Sequence, residues 1–343
     1  MKRVPIIVCG LGGVGKEFVR LLSERRLDIR EKFKLDLVLT AAVDIGGAAM
    51  NGPEGIDGLS MLDHVNSGNP IETFGASGIP GMSGVDAIAR SGASVMVEAT
   101  PTNLVDGGVG KAHVFAALEN KMDVVSANKG PFVLFYDEVH ALAAKNGCAL
   151  HISAAAAAAL PTLDVGRICL AGANLYSAEG ILNGTTNFIL SAMRNDGSSY
   201  EEALAAAQKM GIAESDPGYD VDGKDSANKI VLISNRLFGT RNTLSDVDIS
   251  GITEVTIEDI QTATHEKKVI KLIASAKNSN DTGHLSVGPK RLDENHPLAS
   301  VNGSEKAITY ETDTMGTLTV MGGKSSQVGA AAALLKDLIN AYV

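Results

Sequence analysis

The chain has 343 residues, no Trp, a formal net charge of −10, and 45% hydrophobic but only 4% aromatic residues. This length accommodates about two domains with a sizeable core, and the negative charge argues against nucleic acid or an anionic membrane as a partner. No run of about 18 apolar residues predicts a membrane span, and the N-terminus reaches a glycine loop too soon for a secretory signal. Because Cys9, Cys148 and Cys169 lack CxxC or ligand spacing, we expect a cytoplasmic protein with reduced thiols.

The first predicted element is a buried parallel strand at Val4–Cys9. A G-x-G-x-x-G sequence follows it, and Lys16–Arg26 has helical periodicity. In the dinucleotide-binding form of this motif, Gly10 makes a tight turn, Gly12 lets a pyrophosphate approach the backbone, and Gly15 permits close helix–strand packing. The order of strand, loop and helix therefore predicts dinucleotide binding, with a plain glycine-rich turn as the alternative.

A second predicted strand, Leu35–Val43, ends at Asp44. A carboxylate at this position accepts hydrogen bonds from the adenosine ribose and repels a 2′-phosphate. The sequence has no Lys or Arg between Lys34 and Arg90 that could offset this repulsion. We therefore predict that NAD is preferred and that NADP is the poorer cofactor. Gly46–Gly81 has no clear periodicity and receives no assignment.

Polar residues follow two further predicted strands. The strand Val95–Val97 runs into the segment EATPTN, and the strand Asp123–Ser126 runs into ANKGP, which contains Lys129; a predicted helix, Gly110–Glu119, lies between them. Ligands of open α/β sheets bind at the carboxyl ends of the strands. Lys129 is therefore predicted at the same sheet edge as the glycine loop.

Beyond residue 150 the alternation of strands and helices changes. The Ala-rich run Ser153–Leu160 has helical propensity but also fits a place where backbones approach closely. A helix is predicted at Ser199–Met210, antiparallel strands within Lys306–Val320, and an apolar-faced helix at Gln327–Val343.

The segment 211–229, GIAESDPGYDVDGKDSANK, concentrates charged residues immediately before an apolar run. If a helix begins near Gly223, Asp225 and Lys229 project from one face, with Asp225 in the first turn, where the helix dipole favours a negative charge. Charged groups entering a buried segment are costly unless they are paired or bind a ligand. A polar small-molecule site is one interpretation, and an exposed ion pair is the other.

The segments GLGGVG, EATPTN, SANKGP, NGTTNFIL and AESDPGYDVDGKDSANK, in this order, resemble homoserine dehydrogenases. The resemblance implies a Rossmann-type α/β nucleotide domain with a parallel sheet, formed by 1–150 and completed by a C-terminal helix at 325–343. It further implies an α+β substrate-binding and dimerisation domain at 151–324, hence a homodimer. The chain resembles a short form, with no fused aspartate kinase or ACT domain.

The implied activity is the reversible reduction of L-aspartate 4-semialdehyde to L-homoserine with NAD(P), which leads to threonine, methionine and isoleucine. The motifs assign catalysis to Lys129 and Lys229, and Lys229 fits the role of proton donor. The implied binding residues fall into two groups: for the substrate, Glu214, Asp225, Gly184, Thr185 and Asp220 of the same acidic stretch; for the cofactor, Gly10, Gly12, Val14, Gly15, Asp44, Thr100, Pro101 and again Lys129.

Three features depart from the family pattern, one of which is the segment GGKSSQVGAAAALL in place of the usual glycine-rich entry to the last helix. Ile152 occupies the place of a Glu that helps to hold a monovalent cation, and Ile212 stands where many members have Tyr. We therefore assign no metal ligand and expect monovalent cations to affect this protein less than its relatives. Two alternatives stay open: another NAD-dependent amino-acid oxidoreductase on the same scaffold, and a non-catalytic NAD-binding sensor. Two retained lysines argue against the sensor.

Overall fold

The chain folds into two units, each built around its own sheet. A computed structural model describes residues 1–278, 284–323 and 325–343. One unit comprises residues 1–158 and 326–343, and the other comprises 159–325. Residues 151–158 thus group with the N-terminal unit.

The first unit contains a seven-stranded sheet. Its strands are β1 (Lys2–Cys9), β2 (Leu35–Asp44), β3 (Gly47–Met50), β4 (Gly78–Pro80), β5 (Val95–Glu98), β6 (Asp123–Ser126) and β7 (Leu150–His151). The spatial order is β4-β3-β2-β1-β5-β6-β7. Strands β1, β2, β5, β6 and β7 are parallel to one another, whereas β3 pairs antiparallel with both β2 and β4. The predicted Rossmann-type parallel sheet is confirmed.

The helices of this unit connect the strands. They are α1 (Gly13–Glu24), α2 (Arg26–Phe33), α3 (Gly58–Asn66), α4 (Gly84–Arg90), α5 (Gly108–Glu119), α6 (Gly130–Leu134), α7 (Tyr136–Asn146) and α8 (Ser153–Ala157). The first helix starts three residues earlier than predicted and ends at Glu24, and α2 follows after Arg25. The segment without an assignment, 46–81, contains two short strands, one helix and three-residue 3₁₀ turns.

The C-terminal helix, Gln327–Tyr342, packs into this same unit. Its Leu334 and Leu338 are fully buried in one hydrophobic core with Phe18 and Val19 of α1. Burial of such side chains stabilises a fold by about 1.5–3 kcal/mol each. The helix therefore contributes to the core beneath the glycine loop.

The Ala-rich run forms a short helix, α8, which ends at Ala157 and has Ala158 as its C-cap. Ala158 has φ 52° and ψ −119°. This backbone conformation is favourable only for glycine, so the Ala158 methyl group makes the turn strained.

The second unit contains a six-stranded sheet of β8 (Leu175–Ile181), β9 (Val247–Ile249), β10 (Lys268–Lys277), β11 (His284–Asp293), β12 (Lys306–Thr312) and β13 (Thr317–Gly322). The order is β13-β12-β8-β10-β11-β9, and the pairs are antiparallel apart from β11 and β9. Its helices are α9 (Thr162–Asp164), α10 (Gly184–Asp196), α11 (Tyr200–Lys209), α12 (Gly218–Val221), α13 (Lys224–Phe238) and α14 (Ile257–His265), with a π-helical turn at Val165–Cys169. Among the described residues, each helix is too short or too polar to cross a bilayer.

Candidate active site

The glycine loop of the first unit is shaped by close backbone contacts. Gly10 has φ +94°, and a Cβ there would lie 2.8 Å from the backbone nitrogen of Thr100. A Cβ on Gly15 would overlap the carbonyl oxygen of Gly10. These two positions therefore require glycine for packing within the protein itself.

Gly12 differs from its neighbours because a Cβ there would meet no atom within 4 Å. The loop thus has open space at the one glycine that the motif assigns to the approach of a pyrophosphate. The first turn of α1 carries no acidic side chain, and its N-cap makes no side-chain hydrogen bond. A helix N-terminus of this kind favours an anion. Val14, in that turn, is half-buried against the core. The residues present fit a dinucleotide.

The turn after β2, where the sequence predicts the adenosine ribose, is acidic. Asp44 is the last residue of β2 and is half-buried, and the adjacent Ile45 is 94% exposed. The carboxylate of Glu72 lies against Gly46, since a Cβ built there would approach a Glu72 oxygen to 2.5 Å. Two carboxylates therefore flank the turn that follows β2.

Lys129 and the Thr100–Pro101 segment follow two neighbouring parallel strands, β6 and β5. The backbone N–H of Lys129 donates to the Thr102 hydroxyl at 3.3 Å. The side chain of the preceding Asn128 donates to the Thr100 hydroxyl at 3.1 Å and to the Pro101 carbonyl at 3.3 Å. The structure thus brings Thr100, Pro101 and Lys129 together.

The second unit contains a polar cavity of about 270 Å³. Lys229 lies in it, and its Nζ donates to Asp225 Oδ2 at 2.6 Å and to the Leu182 carbonyl at 2.8 Å. The Lys229 and Asp225 side chains are only 14% and 10% exposed. The pair lies on one face of α13, as its spacing predicts, but it is not the exposed ion pair of the alternative interpretation.

Asn183 organises the acidic side of this cavity. Its Nδ2 donates to Asp220 Oδ1 at 2.7 Å and to Asp225 Oδ2 at 2.9 Å. Its Oδ1 accepts from the backbone N–H of Thr186 at 3.0 Å, which caps α10. Asn183 is not among the predicted site residues, although Asn is one of the residue types preferred at a helix N-cap.

Gly184 and Thr185 line the cavity at the first turn of α10. The Thr185 hydroxyl donates to the Ile212 carbonyl at 3.1 Å. A Cβ on Gly184 would lie 2.7 Å from the Ser304 carbonyl oxygen, so only glycine fits there. Ile212 and Ser304 also line the cavity and were not predicted to bind substrate.

Glu214 differs from the other predicted substrate ligands. It is exposed and is not among the residues that line this cavity. Its carbonyl accepts from Gln208 Nε2 at 3.1 Å. The structure therefore unites Asp220, Asp225, Gly184, Thr185 and Lys229, and leaves the Glu214 side chain outside this group.

Tyr219 adds a neutral group beside the carboxylates. Burial raises the pKa of its hydroxyl well above the usual value, and the charge of Asp225 adds to the effect. Asn228 Nδ2 donates to this hydroxyl at 3.0 Å. The cavity thus offers an ammonium group, carboxylates and a helix N-terminus, which suit a ligand with both an amino and a carboxylate group.

Comparison with known proteins points to one family. A sequence model described as homoserine dehydrogenase matches residues 161–339. The homoserine dehydrogenase of Methanocaldococcus jannaschii is 35% identical over 339 residues, covering 99% of this chain and 98% of that protein. The NAD(+)-dependent homoserine dehydrogenase of Pseudomonas canavaninivorans is 32% identical over 348 residues, covering 100% and 97%. A solved Archaeoglobus fulgidus structure assigned as a homoserine dehydrogenase has a TM-score of 0.88 at 30% identity and covers 99% of both chains.

Proposed function

This chain belongs to the homoserine dehydrogenase family, and we propose that the cavity of its second unit binds the amino-acid substrate while the glycine loop of its first unit binds the nicotinamide dinucleotide. Its activity is the oxidoreductase reaction of that family, the interconversion of L-homoserine and L-aspartate 4-semialdehyde with NAD(P). The step belongs to amino-acid biosynthesis toward threonine, methionine and isoleucine.

The observation that carries the substrate assignment is the Lys229–Asp225 pair with Asn183 between the two carboxylates. L-Homoserine carries an α-ammonium group, an α-carboxylate and a hydroxyl. Asp220 and Asp225 supply negative charge for the ammonium group, and the first turn of α10 at Gly184 and Thr185 supplies backbone N–H groups for the carboxylate. Glu214 is retained as a candidate for the ammonium group from the family motif alone.

Each lysine has a distinct proposed role. Oxidation of the alcohol requires that its hydroxyl proton leave as the hydride leaves carbon; when bound, the nicotinamide ring accepts that hydride. During reduction the Lys229 ammonium group, held by Asp225, donates its proton to the oxygen of the forming alcohol, and during oxidation the neutral amine takes that proton back. Lys129 orients and polarises the substrate oxygen, on which negative charge develops. Thr100 and Pro101 hold the nicotinamide side, and Gly10, Gly12, Val14 and Gly15 hold the pyrophosphate.

The preferred cofactor in this proposal is NAD. Asp44 and Glu72 make the adenosine side acidic, which opposes a 2′-phosphate. The Pseudomonas relative is named as NAD(+)-dependent, which supports the same choice.

We further propose that the enzyme acts in the cytoplasm as a homodimer. Cys9, Cys148 and Cys169 are free thiols, which suits a reducing compartment. The family resemblance implies a dimer formed by joining sheets, and β13 is an edge strand of the second unit. Light scattering during size-exclusion chromatography measures this directly, and a single species of monomer mass would contradict it.

An absorbance assay at the reduced-nicotinamide band tests the function. We expect NAD-dependent oxidation of L-homoserine, and much slower oxidation of L-serine and L-threonine, whose hydroxyl groups lie one carbon closer to the ammonium group. Faster turnover of another hydroxy-amino acid would favour a different oxidoreductase on the same scaffold. NAD binding without turnover of any of them would favour the non-catalytic sensor.

A further inference from the structure

Glu98, the last residue of β5, is a carboxylate that the proposed roles leave unexplained. It belongs to the segment EATPTN, from which the family resemblance selects only Thr100 and Pro101. Its exposed fraction is 0%. A carboxylate this buried is costly unless its oxygens accept hydrogen bonds, so its partners indicate its role.

Both oxygens of Glu98 have protein partners. Oε1 accepts from the backbone N–H of Thr100 at 2.8 Å and from the Thr100 hydroxyl. Oε2 faces Nδ1 of His113, on α5, at 2.9 Å. His113 is itself buried. Glu98 therefore fixes both the backbone and the side chain of Thr100.

Asn128 extends this arrangement to Lys129. It is 1% exposed, and its Nδ2 donates to the Thr100 hydroxyl and the Pro101 carbonyl, at 3.1 and 3.3 Å. Its Oδ1 accepts from the Gly130 backbone N–H at 3.0 Å. The residues on either side of Lys129 are thus attached to the segment that Glu98 holds.

Glycines enclose these side chains on two sides. A Cβ on Gly110 would overlap Asn128 Nδ2, and a Cβ on Gly84 would overlap His113 Nε2. The side chains therefore have little room to adopt other rotamers. Glu98 and Asn128 are held in one arrangement by their surroundings.

A metal centre is the other interpretation of this cluster, because ligand atoms of Cys9, Glu98 and His113 lie within 4.8 Å of one another. However, both Glu98 oxygens already have protein partners. Burial also raises the pKa of the Cys9 thiol, and Glu98 adds to this, which favours the neutral thiol over a thiolate ligand. Hydrogen bonding accounts for the cluster without an ion.

We propose that Glu98 is a positioning residue, which acts through Thr100 and Asn128 to set the position of Lys129 and of the Thr100–Pro101 segment. This inference rests on the proposed function, in which Lys129 polarises the substrate oxygen. Hydride and proton transfer depend steeply on placement, and a shift of about 1 Å costs about a hundredfold in rate. Glu98 thus supports catalysis without touching the substrate.

The principal test is Glu98→Gln, which keeps the shape and removes the charge. We expect kcat to fall at least about tenfold while the KM and Kd for NAD stay within about twofold. The matched control is Glu119→Gln, the same change at the exposed end of α5, which leaves kcat unchanged. In a Lys129→Ala background, Glu98→Gln should lower kcat by a smaller factor than in the parent, because only its effect through the Thr100–Pro101 segment remains. An unchanged kcat, or a full additional loss in that background, would overturn the proposal.

Hydrogen exchange provides a readout that does not depend on activity. Glu98→Gln should accelerate amide exchange within 99–103 and 127–131 and leave the remainder of the first unit at parent rates. Unchanged exchange in these segments contradicts the positioning role, whereas accelerated exchange in a protein that does not oxidise homoserine contradicts the proposed function instead. Exchange accelerated throughout the unit, with NAD binding lost, would show a general structural role.

If Glu98→Gln does not fold, Asn128→Ala separates the two segments while Glu98 keeps its hydrogen bonds with Thr100 and His113. For Asn128→Ala we expect the same loss of kcat as for Glu98→Gln, and the same acceleration of amide exchange near Lys129. Full activity of this variant overturns the proposal. The last experiment measures the metal content of the purified parent protein. One equivalent of a transition metal that is lost in Cys9→Ser would replace the positioning role with a metal site.

Discussion

The glycine loop of the first unit is shaped by its backbone, whereas the cavity of the second unit is lined by charged side chains. Gly10 and Gly15 exclude any Cβ because the backbone packs against itself, and Gly12 leaves space open. In the cavity, Lys229, Asp225 and Asn183 are joined by hydrogen bonds of 2.6–2.9 Å.

This difference predicts which kinds of substitution each region can accept. A backbone site is damaged by adding atoms, since its shape depends on missing side chains. A side-chain site is damaged by removing atoms, because a partner is then left buried and unpaired. The predictions below probe both regions with changes of each kind.

The largest expected effect is that of Lys229→Ala. Removing a proton-transfer group costs about a hundredfold to ten-thousandfold in kcat, while NAD binding should change little because the glycine loop lies in the other unit. The control is Lys224→Ala on the same helix, whose ammonium pairs with Asp222 and is 53% exposed. Steady-state rates and nucleotide fluorescence titrations measure both. Activity within about threefold of the parent, or about 0.7 kcal/mol in barrier, would remove Lys229 from the catalytic role.

Substitutions at Gly15 and Gly12 should distinguish an effect on protein stability from an effect on cofactor binding. Gly15→Ala forces a Cβ onto the Gly10 carbonyl and should destabilise the protein by about 1–3 kcal/mol. Gly12→Ala meets no protein atom, and its φ of −69° suits alanine. It should therefore keep its thermal stability and bind NAD at least about tenfold more weakly, or 1.4 kcal/mol. Equal loss of stability in both variants would show that Gly12, like Gly15, is required for packing and not for cofactor binding.

The preference between NAD and NADP tests the effect of the two carboxylates, Asp44 and Glu72, beside the turn after β2. We expect kcat/KM to favour NAD over NADP by at least about tenfold, since two carboxylates oppose the 2′-phosphate. Asp44→Ser with Ile45→Arg should narrow the ratio. Leu27→Arg with Asp28→Ser makes the same charge change on the exposed part of α2 and should leave the ratio unchanged.

Equal or better use of NADP by the parent enzyme would refute this preference. A cation distant in sequence would then have to reach the 2′-phosphate. Lys129 and Lys324 are the candidates; Lys324 lies outside the described residues.

The second unit also contains a buried charge outside the cavity, at Lys271 on β10. Its Nζ donates to Asn187 Oδ1 at 3.0 Å and to the Val301 carbonyl. Burial lowers its pKa from 10.5 to about 8, and Arg194 adds to this. Between these values the folded state has lost the proton that the unfolded state keeps, so this lysine makes folding more favourable as pH rises.

The free energy of unfolding of the parent, minus that of Lys271→Met, should therefore increase between pH 8 and pH 10, by up to about 1.4 kcal/mol per pH unit. Urea unfolding at several pH values measures it. Lys277→Met, at the exposed end of the same strand, is the control and should show no such trend. A difference that is constant or decreases with pH would show that the hydrogen bonds keep Lys271 charged.

The smallest expected effect is that of monovalent cations. Ile152 is 2% exposed and offers no carboxylate, so this segment lacks the charged ligand that the family pattern places there. Titration with sodium or potassium against tetramethylammonium, at constant ionic strength, should change kcat less than about twofold, or roughly 0.4 kcal/mol. A steep and saturable activation would show that carbonyl oxygens suffice.

The parts predicted from sequence are those that local chemistry determines. The glycine loop follows from a strand, a turn and a helix in succession, and the Lys229–Asp225 pair follows from spacing within one helix. Asn183 was missed because its contacts to Asp220 and Asp225 join residues 37 and 42 positions apart. Glu98 and His113 are brought together by the packing of α5. No periodicity in the sequence encodes such contacts.

The placement of the C-terminal helix has a consequence for synthesis on the ribosome. Residues 159–325 emerge before Leu334 and Leu338, which fill the core beneath α1. The first 158 residues therefore leave the ribosome with an unfilled apolar groove that persists until 326–343 arrive. A chaperone that shields this groove, or rapid folding of the intervening unit, would protect the nascent chain from aggregation. The order of residues along the chain thus delays completion of the first unit until residues 326–343 have been synthesised.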